Sequence, residues 1–468
     1  MSKVIATLSD AIREAGLKDG MTVSFHHHLR NGDFVLNMVM EEIARQGIKG
    51  LTVQASSLFD CHYPLIEHIR NGVVCRIETD YMNGQIAKAI SEGLMERPVL
   101  FRSHGGRPAA IDSGRVTIDV AFIAAPASDP MGNANGISGP SACGSLGYAI
   151  PDSRRAKKAV IITDNLLPYP LSPASIEETD VDLVVKVDSI GDPKGIVSGT
   201  TRMTRDPVAL TIARYAAQVI EHSGLLKEGF SFQTGAGGAS LAVTQYLKPI
   251  MKRLGITGSF GLGGITGYLV DMLEEGYFTS LMDVQCFDLK AVESISKNPL
   301  HKEISASRYA SPLAKSAAVN ALDVVVLGAT QIDTGFNVNV HTDSNGYITG
   351  GSGGHSDTAA GAKLAMIVAP LFRARLPIVV DKVLCTSTPG STVDVLVTQR
   401  GVAVNPQRKE LKDMLKAGGL PVYEIEELKQ LAENYTGAPK PSRPFGRTVA
   451  EVEYRDFSII DRIGCVER

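Results

Sequence analysis

The chain of 468 residues contains no tryptophan, and that absence decides nothing about what it does. Other absences exclude more. No apolar run approaches the roughly 20 residues that a membrane span needs. The opening segment MSKVIATLSDAIREAG mixes acids and bases along an expected amphipathic helix and lacks the apolar core of a signal peptide. No run of five like charges occurs, and 47 basic residues nearly balance 50 acidic ones, so neither nucleic acid nor a membrane surface has an electrostatic footprint here. The expected partners are small molecules and other proteins, and the expected location is the cytoplasm. Cys61, Cys75, Cys143, Cys286, Cys385 and Cys465 are scattered without CxxC or other metal spacing, which fits reduced packing thiols better than a disulfide framework.

Two nucleotide-binding signatures are also missing. A dinucleotide fold needs GxGxxG, but GLGG (261–264) continues with Ile265 and Thr266, and GAGG (235–238) has Ser240 where the third glycine belongs. No Walker lysine is present either. What remains is bare backbone. GAGG follows the predicted strand FSFQT and precedes the predicted helix SLAVTQYLKPIMKRL, so its N–H groups stand at a helix N-terminus and can hold an anion or a developing oxyanion. A plain tight turn is the alternative. Two further clusters, GNANG (132–136) and GGSGG (350–354), complete the glycine-rich set.

Short β-branched runs alternate with helical periods: LTVQASSL, VTIDVAFIAA, AKKAVIIT and VDLVVKV, then DVVVLGAT, PIVVDKVL and VDVLVTQ. The alternation predicts α/β layers with strands buried on both faces. Between the two sets, DSIGDPKGIVSGTTRMTRDP (188–207) reads as a linker, with Asp206 capping the helix that Pro207 begins. Residues 17–57 and 225–264 share one pattern: LK[DE]G, a strand, a polar or glycine-rich turn, an amphipathic helix, Gly-Ile and a second strand. Two related domains follow, 1–200 and 201–468, with one site between them.

In order along the chain, LKDGMTVSF, IDVAFIAAPASDPMGNANG, AKKAVIITDNLLPYP, FQTGAGGASLAV, GGSGGHSD and VDVLVTQRGVAV resemble segments of the family I coenzyme A transferases, especially the acetate and 4-hydroxybutyrate branch. The resemblance implies two open α/β domains of the NagB/RpiA-like type with the active site between them. One departure is informative. Those enzymes carry the acyl group on a glutamate shortly before a V-D-L-V-E-A-G helix; here the helix is VDMLEEG (270–276), Gly263 stands where the glutamate would, and no Asp or Glu occurs from Gly229 to Val270. A glutamate-free loop combined with SFHHHLRNGD resembles the branch formed by the alpha chains of citrate lyases. That branch implies exchange of acetyl for citryl on the thiol of an acyl carrier protein (the gamma chain), ahead of cleavage by a lyase (the beta chain), in a homo-oligomeric assembly. The carrier would supply the phosphoribosyl-dephospho-CoA group, CoA thioesters would serve as surrogates, and the chain itself would bind no cofactor. A carboxylate substrate can attack the acetyl thioester directly and form an acetyl-citryl anhydride, so no enzyme nucleophile is required.

The resemblance implies roles for named residues. Gly353 and Gly354 would contact the oxyanion or thioester, and Gly263 would leave room for citrate. Thr234, Gly235, Gly237 and Gly238, with Asn337 and Asn339 of FNVNVHTD, would contact the carrier's arm. Citrate carries about three negative charges, so cations and donors are needed; His27, His28 and Arg30 at the turn equivalent to GAGG, and Arg107 of RSHGGRP, are the candidates. Consecutive histidine side chains diverge and no HxH or HxxxH partner follows, so no metal site is expected. An ordinary CoA transferase drawing its acid from elsewhere, or a non-catalytic assembly subunit, is the alternative; GGSGG and VDVLVTQRGVA argue against sugar-phosphate isomerases and translation factors of the same broad fold.

Overall fold

The structure, a computed structural model, describes residues 2–197, 203–438 and 446–466. Two large, mostly parallel sheets organise it. From edge to edge the first runs Val4–Ile5, Leu183–Lys186, Lys158–Thr163, Val120–Ala124, Thr22–Phe25, Leu51–Ala55, Val74–Thr79 and Val99–Phe101, followed by the pair Thr448–Glu453 and Ile459–Gly464. The second runs Val422–Tyr423, Gly401–Val404, Val395–Thr398, Leu364–Val368, Val324–Gly328, Ser231–Thr234, Phe260–Ile265, Leu281–Cys286 and His301–Glu303. Central strands such as VAFIA and VVVLG are buried on both faces, which is why they read as continuous apolar runs rather than alternating ones.

The echo between residues 17–57 and 225–264 becomes a topological equivalence. In each sheet a first strand, Thr22–Phe25 or Ser231–Thr234, lies centrally; the next strands extend to one side, and the chain then returns to build the other side. The strand order therefore reverses beside Phe25 in one half and beside Thr234 in the other. The carboxyl ends of strands at such a reversal are where open α/β sheets form crevices.

Several sequence expectations are adjusted. The opening segment contributes the edge strand Val4–Ile5 before its helix, Leu8–Glu14. PIVVDKVL gives Pro377, the end of the short strand Leu376–Pro377, and Val379–Val380, each in a small sheet apart from the two large ones. The expected domain boundary at 200 and 201 lies outside the described residues, but the linker is not featureless: Pro193–Ile196 forms a 3-10 turn against Arg30–Gly32, where Gly32 and Gly195 allow backbone contact that a Cβ would block. Asp206 accepts from the N–H groups of Val208 and Ala209 and caps the helix Pro207–His222. The tail forms a hairpin, and its strand Thr448–Glu453 pairs with Val99–Phe101 of the first sheet. Among the described residues no helix is long and apolar enough to cross a membrane.

Candidate active site

A cavity of about 840 Å³ opens between the two sheets at the carboxyl ends of both central strands. After Phe25 the first half delivers His26, His27, His28 and Arg30; after Thr234 the second delivers GAGG and then the long helix Gly238–Leu254. Thr234, Gly235, Gly237 and Gly238 line the cavity, as do His27, Arg30, Gly353 and Gly354. Gly235 already donates its N–H to Val326 O at 2.7 Å, so the amides left to face an anion are those of the helix's first turn. The Thr234 hydroxyl is buried beside them without a hydrogen-bond partner among the described atoms.

Arg30 is buried and sits in the left-handed region at φ 53°, a conformation costing a non-glycine residue about 1–3 kcal/mol. Its guanidinium lies over the rings of Phe59 (5.2 Å) and Phe287 (4.9 Å), which hold the cation from both halves. The histidines contribute no charge. Burial, then neighbouring His104 and His28, drives His27 well below the usual imidazole range; burial and His26 do the same to His28. His27 is fixed by Nδ1 against the Ser56 hydroxyl at 2.7 Å and belongs to a ring cluster with Tyr148 (4.8 Å) and His104 (5.6 Å).

His104 is the group that sequence reasoning passed over, three residues before the arginine it selected. Its Nδ1 is 2.9 Å from Asp80 Oδ2, and its backbone N–H donates to Gly353 O at 2.8 Å. Gly353 in turn donates its own N–H to Asp80 O at 3.1 Å, so that amide is committed and Gly354 is the freer of the two proposed oxyanion contacts. The loop fits only as glycine: a Cβ at Gly351 would meet Asp80 O at 2.3 Å, and one at Gly354 the Tyr309 hydroxyl at 2.5 Å. Asp357, pushed up to about 6 by burial, accepts from Ser103 Oγ (2.9 Å) and Gly105 N (2.7 Å) and clips the loop to the first half.

Five expected site residues lie off the cavity walls. Arg107 is 2 % exposed and makes a bidentate pair with Asp152 at 2.8 and 2.7 Å, so it holds a helix rather than a substrate. His28 accepts from the Tyr148 N–H and faces His26, positioning the ring cluster from behind. Asn337 closes a turn on Asp333, and Asn339 is consumed by Gln331, Thr342 and His341. Gly263 belongs to a strand with a bulge, and the room expected there is filled: a Cβ would meet the Gln233 carboxamide at 2.8 Å, while one at Gly264 would meet the Phe287 ring at 2.2 Å. Gln233 donates to the Tyr309 hydroxyl at 2.8 Å, and both line the cavity together with Tyr148 and Arg373.

Among the described residues Asp206 is the sole carboxylate on the walls, exposed at the mouth and engaged as a helix cap. One group of three metal-capable side chains occurs elsewhere: Cys286 Sγ donates to Asp283 Oδ2 at 2.9 Å, and His301 Nε2 lies 3.0 Å from the same oxygen, a set that hydrogen bonding accounts for.

The family model described as citrate lyase, alpha subunit (CitF), matches residues 1–466. The chain is 55 % identical to the citrate lyase alpha chain of Klebsiella pneumoniae over 98 % of this chain and 91 % of that one, and 55 % identical to that of Escherichia coli over 98 % and 90 %. A crystal structure of the citrate lyase alpha subunit of Streptococcus mutans in complex with citrate superposes with a TM-score of 0.98 at 50 % identity, over 100 % of this chain and 92 % of that one. The malonate decarboxylase alpha subunit of Acinetobacter baumannii, at 16 % identity and a TM-score of 0.69 over 94 % of this chain and 90 % of that one, shares the fold.

Proposed function

The chain belongs to the citrate lyase alpha-subunit family, and from that premise we propose that it is the acyl transferase of a multi-subunit citrate-cleaving complex, exchanging acetyl for citryl on a carrier-borne thiol. The observation that carries this reading is the composition of the cavity walls: buried Arg30, Arg373 at the mouth, a helix N-terminus and neutral donors, with no carboxylate free to take an acyl group. A carboxylate of citrate then attacks the acetyl thioester carbon; the C–S bond breaks and leaves an acetyl-citryl anhydride and a thiolate. The thiolate attacks the citryl carbonyl, forming the citryl thioester and releasing acetate. No proton is gained or lost overall.

Arg30 and the first-turn amides of the helix Gly238–Leu254 balance the tricarboxylate, and His27 presents a neutral ring beside it. The same helix start, with Thr234, suits the phosphates of the carrier's CoA-like arm, which supplies the thiol. Bringing carboxylate and thioester into register contributes about 7–11 kcal/mol at best. The Gly354 amide is the backbone donor for the tetrahedral oxyanion, a contact worth about 3–4 kcal/mol. Between the two steps His104, held at Nδ1 by Asp80, is the wall side chain placed to hydrogen-bond the thiolate.

The test is acetate release from acetyl-CoA by the purified chain. Release that depends on citrate, with no protein adduct captured by hydroxylamine or borohydride, is the expected result. A trapped glutamyl or aspartyl thioester would instead identify an ordinary CoA transferase, and absence of any exchange would point to an assembly subunit.

A further inference from the structure

Among the described residues, the arginines at one lip of the cavity are not paired with acids. The strands Phe372–Arg373 and Leu376–Pro377 form a two-residue hairpin whose tip, Ala374 and Arg375, has φ of 48° and 66°. Phe372 and Arg373 line the cavity mouth, and Phe372 packs on the Tyr435 ring at 5.6 Å. Arg400 also reaches this ring, its guanidinium 5.8 Å from the centroid and hydrogen-bonded to the hydroxyl. Arg373, Arg375 and Arg400 are all exposed, and among the described residues none has an ion-pair partner. The nearby acids do not neutralise them, because Asp381 and Glu433 both bridge Lys429, at 2.9 and 3.2 Å. Tyr435 and Leu376 are 57 % and 42 % exposed, so the lip combines unpaired guanidinium groups with an aromatic and an aliphatic anchor, the composition of an interface hot spot rather than of a solvated face.

A cavity of this size holds a small tricarboxylate with depth to spare, so a thioester arriving on a protein-borne arm brings that protein's surface against the mouth. On a chain of formal net charge −3, a local excess of unpaired arginine selects the opposite charge. We infer that the lip formed by Arg373, Arg375, Leu376, Arg400 and Tyr435 is the docking surface of an acidic carrier protein that inserts its thioester arm into the cavity. This rests on the transferase reading given above. Docking here leaves the reacting groups around Arg30 and His104 untouched.

The test compares wild type with Arg375→Glu and Tyr435→Ala, neither of which is itself a wall residue. Labelled acyl carrier protein is titrated against the full chain by fluorescence anisotropy, and KM is measured for its acetylated form and for acetyl-CoA. Docking at the lip predicts that each variant weakens carrier binding and raises the carrier KM by about tenfold or more, while the acetyl-CoA KM stays within about twofold. The wild-type carrier affinity falls as salt rises from about 0.05 to about 0.3 M, and that slope flattens in Arg375→Glu. Unchanged carrier binding, or an equal loss with both thioesters, overturns the assignment. The binding arm does not need turnover, so a chain that binds carrier at the lip but exchanges nothing sinks the transferase reading and leaves the docking surface standing.

Discussion

The Nδ1 atom of His104 stands 2.9 Å from Asp80 Oδ2, and the backbones of the same two residues clasp Gly353 from either side. This couples the His104 ring to the loop that holds Gly354, the proposed oxyanion donor. Replacing His104 with Gln, which keeps a polar side chain but removes the imidazole, is expected to lower kcat by about 10²–10⁴-fold while the citrate KM changes little. Asp80→Asn should lower kcat less and shift its pH profile, which a purely structural role would not do. Steady-state kinetics across pH check both.

Arg30 and Arg107 were equivalent candidates in the sequence and differ in the fold. Arg30→Ala should raise the citrate KM by about 10- to 150-fold, the equivalent of 1.5–3 kcal/mol for a hydrogen bond to a charged group, with the melting temperature nearly unchanged. Arg107→Ala strands Asp152 without its buried counter-charge and should cost about 3–5 kcal/mol of stability, leaving the citrate KM of the folded protein as it was. Thermal melts and citrate titrations on the same preparations separate the two.

Gly263 has φ 105° and faces the Gln233 carboxamide. Gly263→Ala should therefore destabilise by about 1–3 kcal/mol. Gly263→Glu, which restores the residue type that the resemblance places there, should yield no hydroxylamine-trappable thioester, because Gln233 occupies the space the carboxylate would need. Mass spectrometry of the acetyl-CoA-treated variant checks this.

Burial lowers His26 and His355 to about 4 and His341 to about 3, and carries His27 and His28 the same way. Each folded-state value lies below the ordinary imidazole value, so each contribution to stability is complete above about pH 6.5 and is lost as the unfolded chain takes up protons on the way down to about 4. Asp357, raised to about 6 by burial, acts in the opposite sense, as do Asp80, Glu303, Asp394 and Glu453, whose carboxyls burial also raises, and these reduce the slope that the imidazoles set. The melting temperature should fall steeply between pH 7 and pH 5. Thermal melts at constant ionic strength will show it, and a flat profile would contradict the burial of these rings.

What the sequence made legible was local. GAGG was readable as a strand-to-helix turn because the strand, the glycines and the helix adjoin, and Asp206-Pro207 announced its own helix. The HHHLR turn followed from the repeat, since the two halves pass through the same topology. The misplaced residues were decided by distant partners: Arg107 by Asp152, 45 positions away, and Gly263 by Gln233 on the neighbouring strand. His104 offered no signal apart from its RSHGG context, because its partner Asp80 is 24 positions upstream on another loop. The tail hairpin pairs with Val99–Phe101 across some 350 residues, a pairing fixed by the open edge of the first sheet rather than by either segment alone.

The origin of the attacking oxygen can be read in a single turnover. Excess enzyme is mixed with acetyl-CoA and citrate labelled with ¹⁸O in its carboxylates, and the first equivalent of acetate is analysed by mass spectrometry. Direct attack by citrate predicts one labelled oxygen in that acetate. Unlabelled acetate, with the label retained on a side chain of the protein, would contradict it.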